Sequence, residues 1–283
     1  MGKSVVVTGA NSGIGLVTCL ELAGAGWDVV ATARSQVKAD RIREIAADKG
    51  LTLRTVVMDV DDAASCAAGI AQAQELTGGI YALVNNAGFV RSGAVEDLDD
   101  DLVRAQLETN VVAPIRLARL VLQGMRERGE GRIVNISSIA GRLSTPLMGW
   151  YCASKHALEA VTDALRMEVE ADGIRVCLVE PGMFGTDIWS AAQPGGFPVA
   201  TTDRYAAAYA RTEALAARAD KLPDPIWVAR TVRLALSNPV PLARYVIGAD
   251  AVGGILAETL VPTLLVDYVK SIGAGLKSLP FRR

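Results

Sequence analysis

Short runs of β-branched and aliphatic residues alternate with longer Ala- and Leu-rich segments through the first two thirds of the chain. Runs such as Val5-Val6-Val7 and Ile133-Val134 lack the every-second-residue alternation of a half-exposed strand. Strands of that kind are buried on both faces, as in parallel sheets covered by helices. Repeated strand–helix alternation supplies the crossovers that such a sheet requires. The expected strands are Ser4–Thr8, Asp28–Thr32, Thr52–Asp59, Ala82–Asn85, Arg132–Ile136, Arg175–Glu180 and Arg244–Ile247. Helices are expected at Ile14–Ala25, Lys38–Lys49, Ala63–Leu76, Leu102–Arg128, Tyr151–Ala171 and Asp224–Leu236. The predicted fold class is α/β, a doubly wound parallel sheet flanked by helices in one domain over residues 1–283.

Composition removes several functions. The 283 residues carry 29 Lys+Arg against 31 Asp+Glu, a formal charge of −2, so no net basic face is available for a nucleic acid. One histidine, His156, and four scattered cysteines (Cys19, Cys66, Cys152, Cys177) give no histidine-rich metal site and no CxxC pair. No metal is expected, and the absence of a disulfide framework or apolar leader points to a cytoplasmic protein. The apolar stretch Thr259–Val266 is too short to span a bilayer.

The turn Thr8-Gly9-Ala10-Asn11-Ser12-Gly13-Ile14-Gly15 lies between the first strand and the first helix. In that context Gly9 permits a tight turn, Gly13 lets a pyrophosphate approach the backbone, and Gly15 allows close helix–strand packing. The phosphates would lie at the helix N-terminus, where free N–H groups and the dipole favour anions. The second strand ends Thr32-Ala33-Arg34, with no carboxylate to hold a ribose 2′-hydroxyl. Arg34 can instead pair with a 2′-phosphate, which favours NADP(H) while leaving NAD(H) possible.

Further motifs follow in order: Asp59-Val60, Asn85-Asn86-Ala87-Gly88, Asn110, Asn135-Ile136-Ser137-Ser138, Tyr151-Cys152-Ala153-Ser154-Lys155, and Pro181-Gly182 with Thr186. With the glycine turn, they make the chain resemble the short-chain dehydrogenase/reductase family over roughly residues 3–187. That resemblance implies a Rossmann-type sheet with a substrate lid after the sixth strand. It also implies a catalytic set of Asn110, Ser138, Tyr151 and Lys155. Tyr151 would exchange the substrate proton, Ser138 would bond the substrate oxygen, Lys155 would hold the nicotinamide ribose, and Asn110 would anchor a water in a relay. Ser137 is a rival to Ser138, and the thirteen-residue spacing to Tyr151 favours Ser138 as in the family. The cofactor would also touch Asn11, Ser12, Ile14, Asp59, Val60, Asn86, Ala87, Gly88, Pro181, Gly182 and Thr186.

Residue chemistry fits these roles. Tyr151 and Lys155 are i and i+4, on one helix face. A phenol normally titrates near pH 10, and a nearby ammonium is expected to lower that value. His156 points about 100° away from Lys155 and reads as a structural or helix-surface residue.

The expected reaction is hydride transfer between the nicotinamide and a carbonyl or secondary alcohol, in the reducing direction if NADPH is used. Segment 183–225 reads as an irregular lid carrying Met183, Phe184, Ile188, Trp189 and Phe197. With Trp150 beside Tyr151, these suggest a lipophilic ketone or aldehyde. The stretch Ser144–Glu180 resembles that of family members acting on steroids and retinoids, which implies a steroid- or retinoid-like substrate; polyketide-like ketones are equally compatible. The alternative is a non-catalytic NADP(H)-binding sensor with the same fold. The helices Leu102–Arg128 and Tyr151–Ala171 resemble those that pair in family homodimers and homotetramers. Residues 253–283 read as amphipathic helices around Pro262 that would cover the site, extend an interface or touch a membrane.

Overall fold

The computed structural model describes residues 3–186, 188, 203–216 and 221–277. Seven strands form one parallel sheet: β1 (Ser4–Val7), β2 (Asp28–Ala33), β3 (Arg54–Val57), β4 (Ala82–Asn85), β5 (Gly131–Ile136), β6 (Ile174–Pro181) and β7 (Arg244–Ile247). Their spatial order is β3-β2-β1-β4-β5-β6-β7, as expected of a doubly wound Rossmann-like sheet. The chain winds outward in both directions from β1 and β4. The crevice between their C-terminal ends is therefore the topological switch point, where such sheets bind ligands.

One face of the sheet packs on α1 (Gly13–Gly24), α2 (Gln36–Ala47) and a later helix, Ile226–Ser237, through Leu22, Ile42, Val228 and Val232. The other face packs on α3 (Ala63–Thr77) and α5 (Ala113–Arg128) through Ile70, Leu117, Val121 and Met125. The N-termini of α2 and α3 are capped by Ser35 and Asp62, whose side-chain oxygens accept backbone N–H bonds. Left-handed Gly78 and Gly129 end α3 and α5.

The sequence reading differs from the structure in three places that bear on function. The single helix expected over Leu102–Arg128 is α4 (Asp100–Leu107), a π-helical turn (Glu108–Val112) and then α5. Pro114 at the start of α5 has no N–H to continue the helical ladder, and the wider turn absorbs the break. Asn110 sits in that turn. The segment read as irregular contains α7 (Ala206–Ala216), after α6 (Gly149–Glu168) and before α8, the helix Ile226–Ser237. The C-terminal part is a helix pair, α9 (Ala249–Leu260) and α10 (Thr263–Gly273), beginning four residues earlier than expected and broken at Pro262. Among the described residues no helix is long and apolar enough to cross a membrane, and no cluster of His, Cys, Asp or Glu could hold a metal.

Candidate active site

The glycine turn is shaped by contacts that only small residues allow. Gly9 holds φ +63°, and a Cβ there would lie 2.8 Å from the Ala87 Cα. A Cβ on Gly15 would overlap the Gly9 carbonyl oxygen and the Asn86 amide. Thr8 locks the turn to the end of β4: its hydroxyl accepts the N–H of Asn86 (3.0 Å) and Ala87 (2.9 Å). The Asn86 amide returns to the Thr8 and Gly9 carbonyls at 2.9 and 3.2 Å.

These contacts clear a cavity of about 430 Å³ over the N-terminus of α1. Ser12 caps that helix without a side-chain bond to it, and the first turn holds no acidic residue. The cavity offers backbone N–H groups and the positive end of a helix dipole, with nothing anionic in the first turn to compete. Gly9, Asn11, Ser12, Gly13, Ile14, Arg34, Val60, Asn86, Ala87, Gly88 and Thr186 all line it. Arg34 forms no ion pair among the described residues. The donors and the missing Cβ atoms fit a dinucleotide. Asp59 does not line the cavity. Its carboxylate accepts the Asp61 N–H at 3.2 Å, and Asp61 and Met58 stand in the wall instead.

A second cavity of about 490 Å³ shares Ile14, Asn86, Gly88, Phe89, Thr186 and Ile188 with the first. Ser138, Tyr151, Lys155, Pro181, Gly182, Met183 and Phe184 line it. Ser138 follows β5 and caps a short 3₁₀ turn (Ile139–Gly141), its hydroxyl accepting the Ala140 N–H at 3.1 Å. Tyr151 and Lys155 lie one turn apart on α6, both buried. Asn110 donates to the Phe89 carbonyl and the Ser154 hydroxyl, both at 3.0 Å, and accepts the Phe89 N–H at 3.1 Å. Ser154 in turn donates to the Tyr151 carbonyl at 2.7 Å. The π-turn residue thus ties the loop after β4 to the helix that carries Tyr151.

The electrostatics depart from expectation. Lys155 Nζ sits 5.9 Å from the centre of the Tyr151 ring and donates to the Ile136 carbonyl at 2.9 Å. Burial pushes the Tyr151 phenol up to about 12, the Ser138 hydrogen bond acting against it. Burial likewise pushes Lys155 down to about 8, with the negative charge of Glu159 opposing. Desolvation outweighs the ammonium at this separation, so the phenol is held protonated rather than eased toward tyrosinate.

Several expected residues fall elsewhere. Trp150 does not line the cavity; its indole N–H points to the Val95 carbonyl at 3.3 Å. Trp189 and Phe197 lie outside the described residues, as does much of the expected lid. His156 is on the exposed face of α6 with its Nδ1 2.8 Å from the Cys152 carbonyl oxygen. The four cysteines are buried and free. The roof of the second cavity comes from residues that no motif marked: Arg211 and Thr212 of α7, Asp250 of α9, and Lys270 and Gly273 of α10.

A glycine-turn cavity at the switch point, joined to an apolar cavity bearing a Ser–Tyr–Lys set, defines a dinucleotide-dependent oxidoreductase. The family described as short chain dehydrogenase matches residues 3–195, and the chain belongs to it. An NADPH-dependent 3-dehydrocapnine reductase of Ornithobacterium rhinotracheale is 32% identical over 274 residues, 94% of this chain and 95% of that one. A short-chain dehydrogenase structure from Streptomyces avermitilis superposes with TM-score 0.78 at 30% identity, covering 98% of this chain and 99% of that one. An actinorhodin polyketide ketoreductase solved with NADPH superposes with TM-score 0.76 at 29% identity, covering 88% and 97%.

Proposed function

We propose that the protein is an NADP(H)-dependent carbonyl reductase acting on lipophilic ketones or aldehydes. The observation that carries this reading is the meeting of the two cavities, with Ser138 and Tyr151 lining the apolar one beside the shared wall of Gly88 and Thr186. The NADPH named for the dehydrocapnine reductase and the polyketide ketoreductase supports the same cofactor here.

In this reading the turn Gly9–Gly15 takes the pyrophosphate, Arg34 the 2′-phosphate, and Val60, with Met58 and Asp61 in place of the expected Asp59, the adenine side. Asn86, Ala87 and Gly88 leave room for the adenosine half. Lys155 holds the nicotinamide ribose while Pro181, Gly182 and Thr186 fix the ring. The bound cofactor supplies a hydride to the carbonyl carbon. Ser138 donates a hydrogen bond to the carbonyl oxygen as charge develops, and Tyr151 delivers the proton. The phenol, raised by burial, is protonated at neutral pH and so holds the proton that reduction requires. Asn110 keeps Phe89 and α6 in register through its bonds to Phe89 and Ser154 and is the station for the proton relay behind Lys155.

Consumption of NADPH and NADH over a panel of ketones and aldehydes tests the reading. Tyr151→Phe should keep NADPH affinity and lose turnover by roughly 10²–10⁴-fold, the usual worth of a positioned general acid. Undiminished turnover by Tyr151→Phe would sink the assignment. NADPH binding without turnover of any carbonyl would favour the sensor, and an NADH preference would remove the role of Arg34.

A further inference from the structure

Besides Lys155, the apolar cavity carries charged groups that the reaction does not use. Its walls include Ile139, Leu143, Met148, Met183, Phe184 and Ile188, and four charged side chains also reach it: Lys155, Arg211, Asp250 and Lys270. Three of the four have partners within the protein. Lys155 is buried on the Ile136 carbonyl. The Asp250 carboxylate accepts the Met183 N–H at 2.7 Å and fills the space that Gly182 and Gly248 leave by lacking a Cβ. Lys270 pairs with Glu258 and donates to the Ser144 carbonyl at 2.7 Å.

Arg211 differs. Among the described residues it has no carboxylate partner, and its hydrogen bond is a long one, 3.4 Å from the guanidinium to the Ile272 carbonyl. A guanidinium presents a planar fork of donors suited to a carboxylate, sulfonate or phosphate oxygen pair. It lies on α7 and α10 packs beside it, so the cation belongs to the roof, on elements separate from the sheet end that carries Tyr151. Arg211 is exposed at the rim of the cavity, so an ion pair made there is screened by solvent and is worth about fivefold in affinity at most, the equivalent of about 1 kcal/mol.

Resting on the reductase reading above, we propose that the substrate is an amphiphilic carbonyl compound: an apolar body seated in the cavity and an anionic group that pairs with Arg211. Arg211 is then a specificity-determining residue. The one acid in the described cavity wall, Asp250, is engaged by the Met183 N–H, so an incoming anion meets a cation with no carboxylate partner among the described residues. The fork geometry makes Lys a poorer replacement than its charge implies.

The test uses full-length protein with NADPH, a series of linear keto acids of increasing ketone-to-carboxylate separation, and the methyl ester of each. Wild type should prefer the acid by about threefold to fivefold at the best separation, with the difference in KM, and the preference should shrink as salt screens the pair. Arg211→Gln should erase it by raising KM for the acid while leaving the ester unchanged. Arg211→Lys should retain part of it. Equal use of acid and ester by wild type, or equal loss of both in Arg211→Gln, would overturn the proposal. Calorimetry with decanoate and decanol on the NADPH complex gives a readout independent of turnover. Decanoate should bind more tightly, and only its binding should weaken in Arg211→Gln; equal affinities would overturn the anion site. Turnover of the neutral esters reports on the reductase reading separately.

Discussion

At the scale of single residues, the glycine turn shows which positions are fixed by sterics and which are free. Gly15 faces backbone: the Gly9 carbonyl oxygen and the Asn86 amide that it would strike are locked to each other and to Thr8. Gly24, in the same helix, has nothing within 4 Å of the place a Cβ would take. Gly15→Ala is expected to weaken NADPH binding by at least about tenfold and to lower the melting temperature, since overpacking against backbone costs about 1–3 kcal/mol. Gly24→Ala should bind NADPH normally and gain about 0.4–1 kcal/mol through lost unfolded-chain entropy. Fluorescence titration and thermal melts of the two variants check the contrast, and equal behaviour would refute the steric account. These residues were legible in sequence because a turn and a phosphate fix residue type at short spacing. The Tyr151–Lys155 electrostatics were not, because spacing put the pair on one face without revealing that both are desolvated or that Lys155 spends a proton on Ile136.

At the scale of elements, a buried charge network fastens the parts that carry the proposed catalytic side chains. Glu180 on β6 is fully buried, with Arg244 of β7 at 3.1 Å and Arg142, just after the Ser138 turn, at 3.5 Å. Arg244 also reaches Glu159 at 3.1 Å and Asp163 on α6. Burial, and then the neighbouring Glu159, push Glu180 up to about 7 despite the two arginines. A carboxyl raised from its unfolded value binds a proton more tightly in the folded state. Its contribution to stability is therefore complete below about pH 4.5 and is lost as pH rises through about 7. Wild-type protein should lose stability between about pH 5 and 8 in denaturant titrations, and Glu180→Gln, which mimics the protonated form, should flatten that slope. Parallel slopes would refute the assignment. No local pattern announces this network, because its members are brought together by the parallel pairing of β6 with β7 and by the packing of α6 on β6. The π-turn at Asn110 was invisible for a related reason: hydrophobic period shows that a helix is present, not that one turn of it is widened.

At the scale of the whole molecule, the two cavities are built from different portions of the chain. Every residue lining the dinucleotide cavity falls between Gly9 and Ile188, the stretch where motif spacing also made the family recognisable. The second cavity draws on that stretch for its floor and on α7, α9 and α10 for its roof. The roof carries no motif, since a surface that recognises one substrate by shape and charge has no residue pattern in common with surfaces that recognise others. The fold and the chemistry were thus readable from sequence, and the substrate end was not. The same division gives a prediction. Helix α10 buries only Val266, so little of the core depends on it. Truncation after Val261 removes Lys270, Gly273 and Ala274 from the roof and leaves the dinucleotide cavity whole. The shortened protein should melt only a few degrees lower, as losing about 1–2 kcal/mol implies for a chain of this size, and should bind NADPH with unchanged affinity. Its KM for small ketones should stay within about twofold, whereas KM for bulky apolar ketones should rise by roughly tenfold, the worth of about 1.4 kcal/mol of lost contact. A parallel loss of NADPH binding would show instead that the roof and the dinucleotide cavity form one cooperative unit.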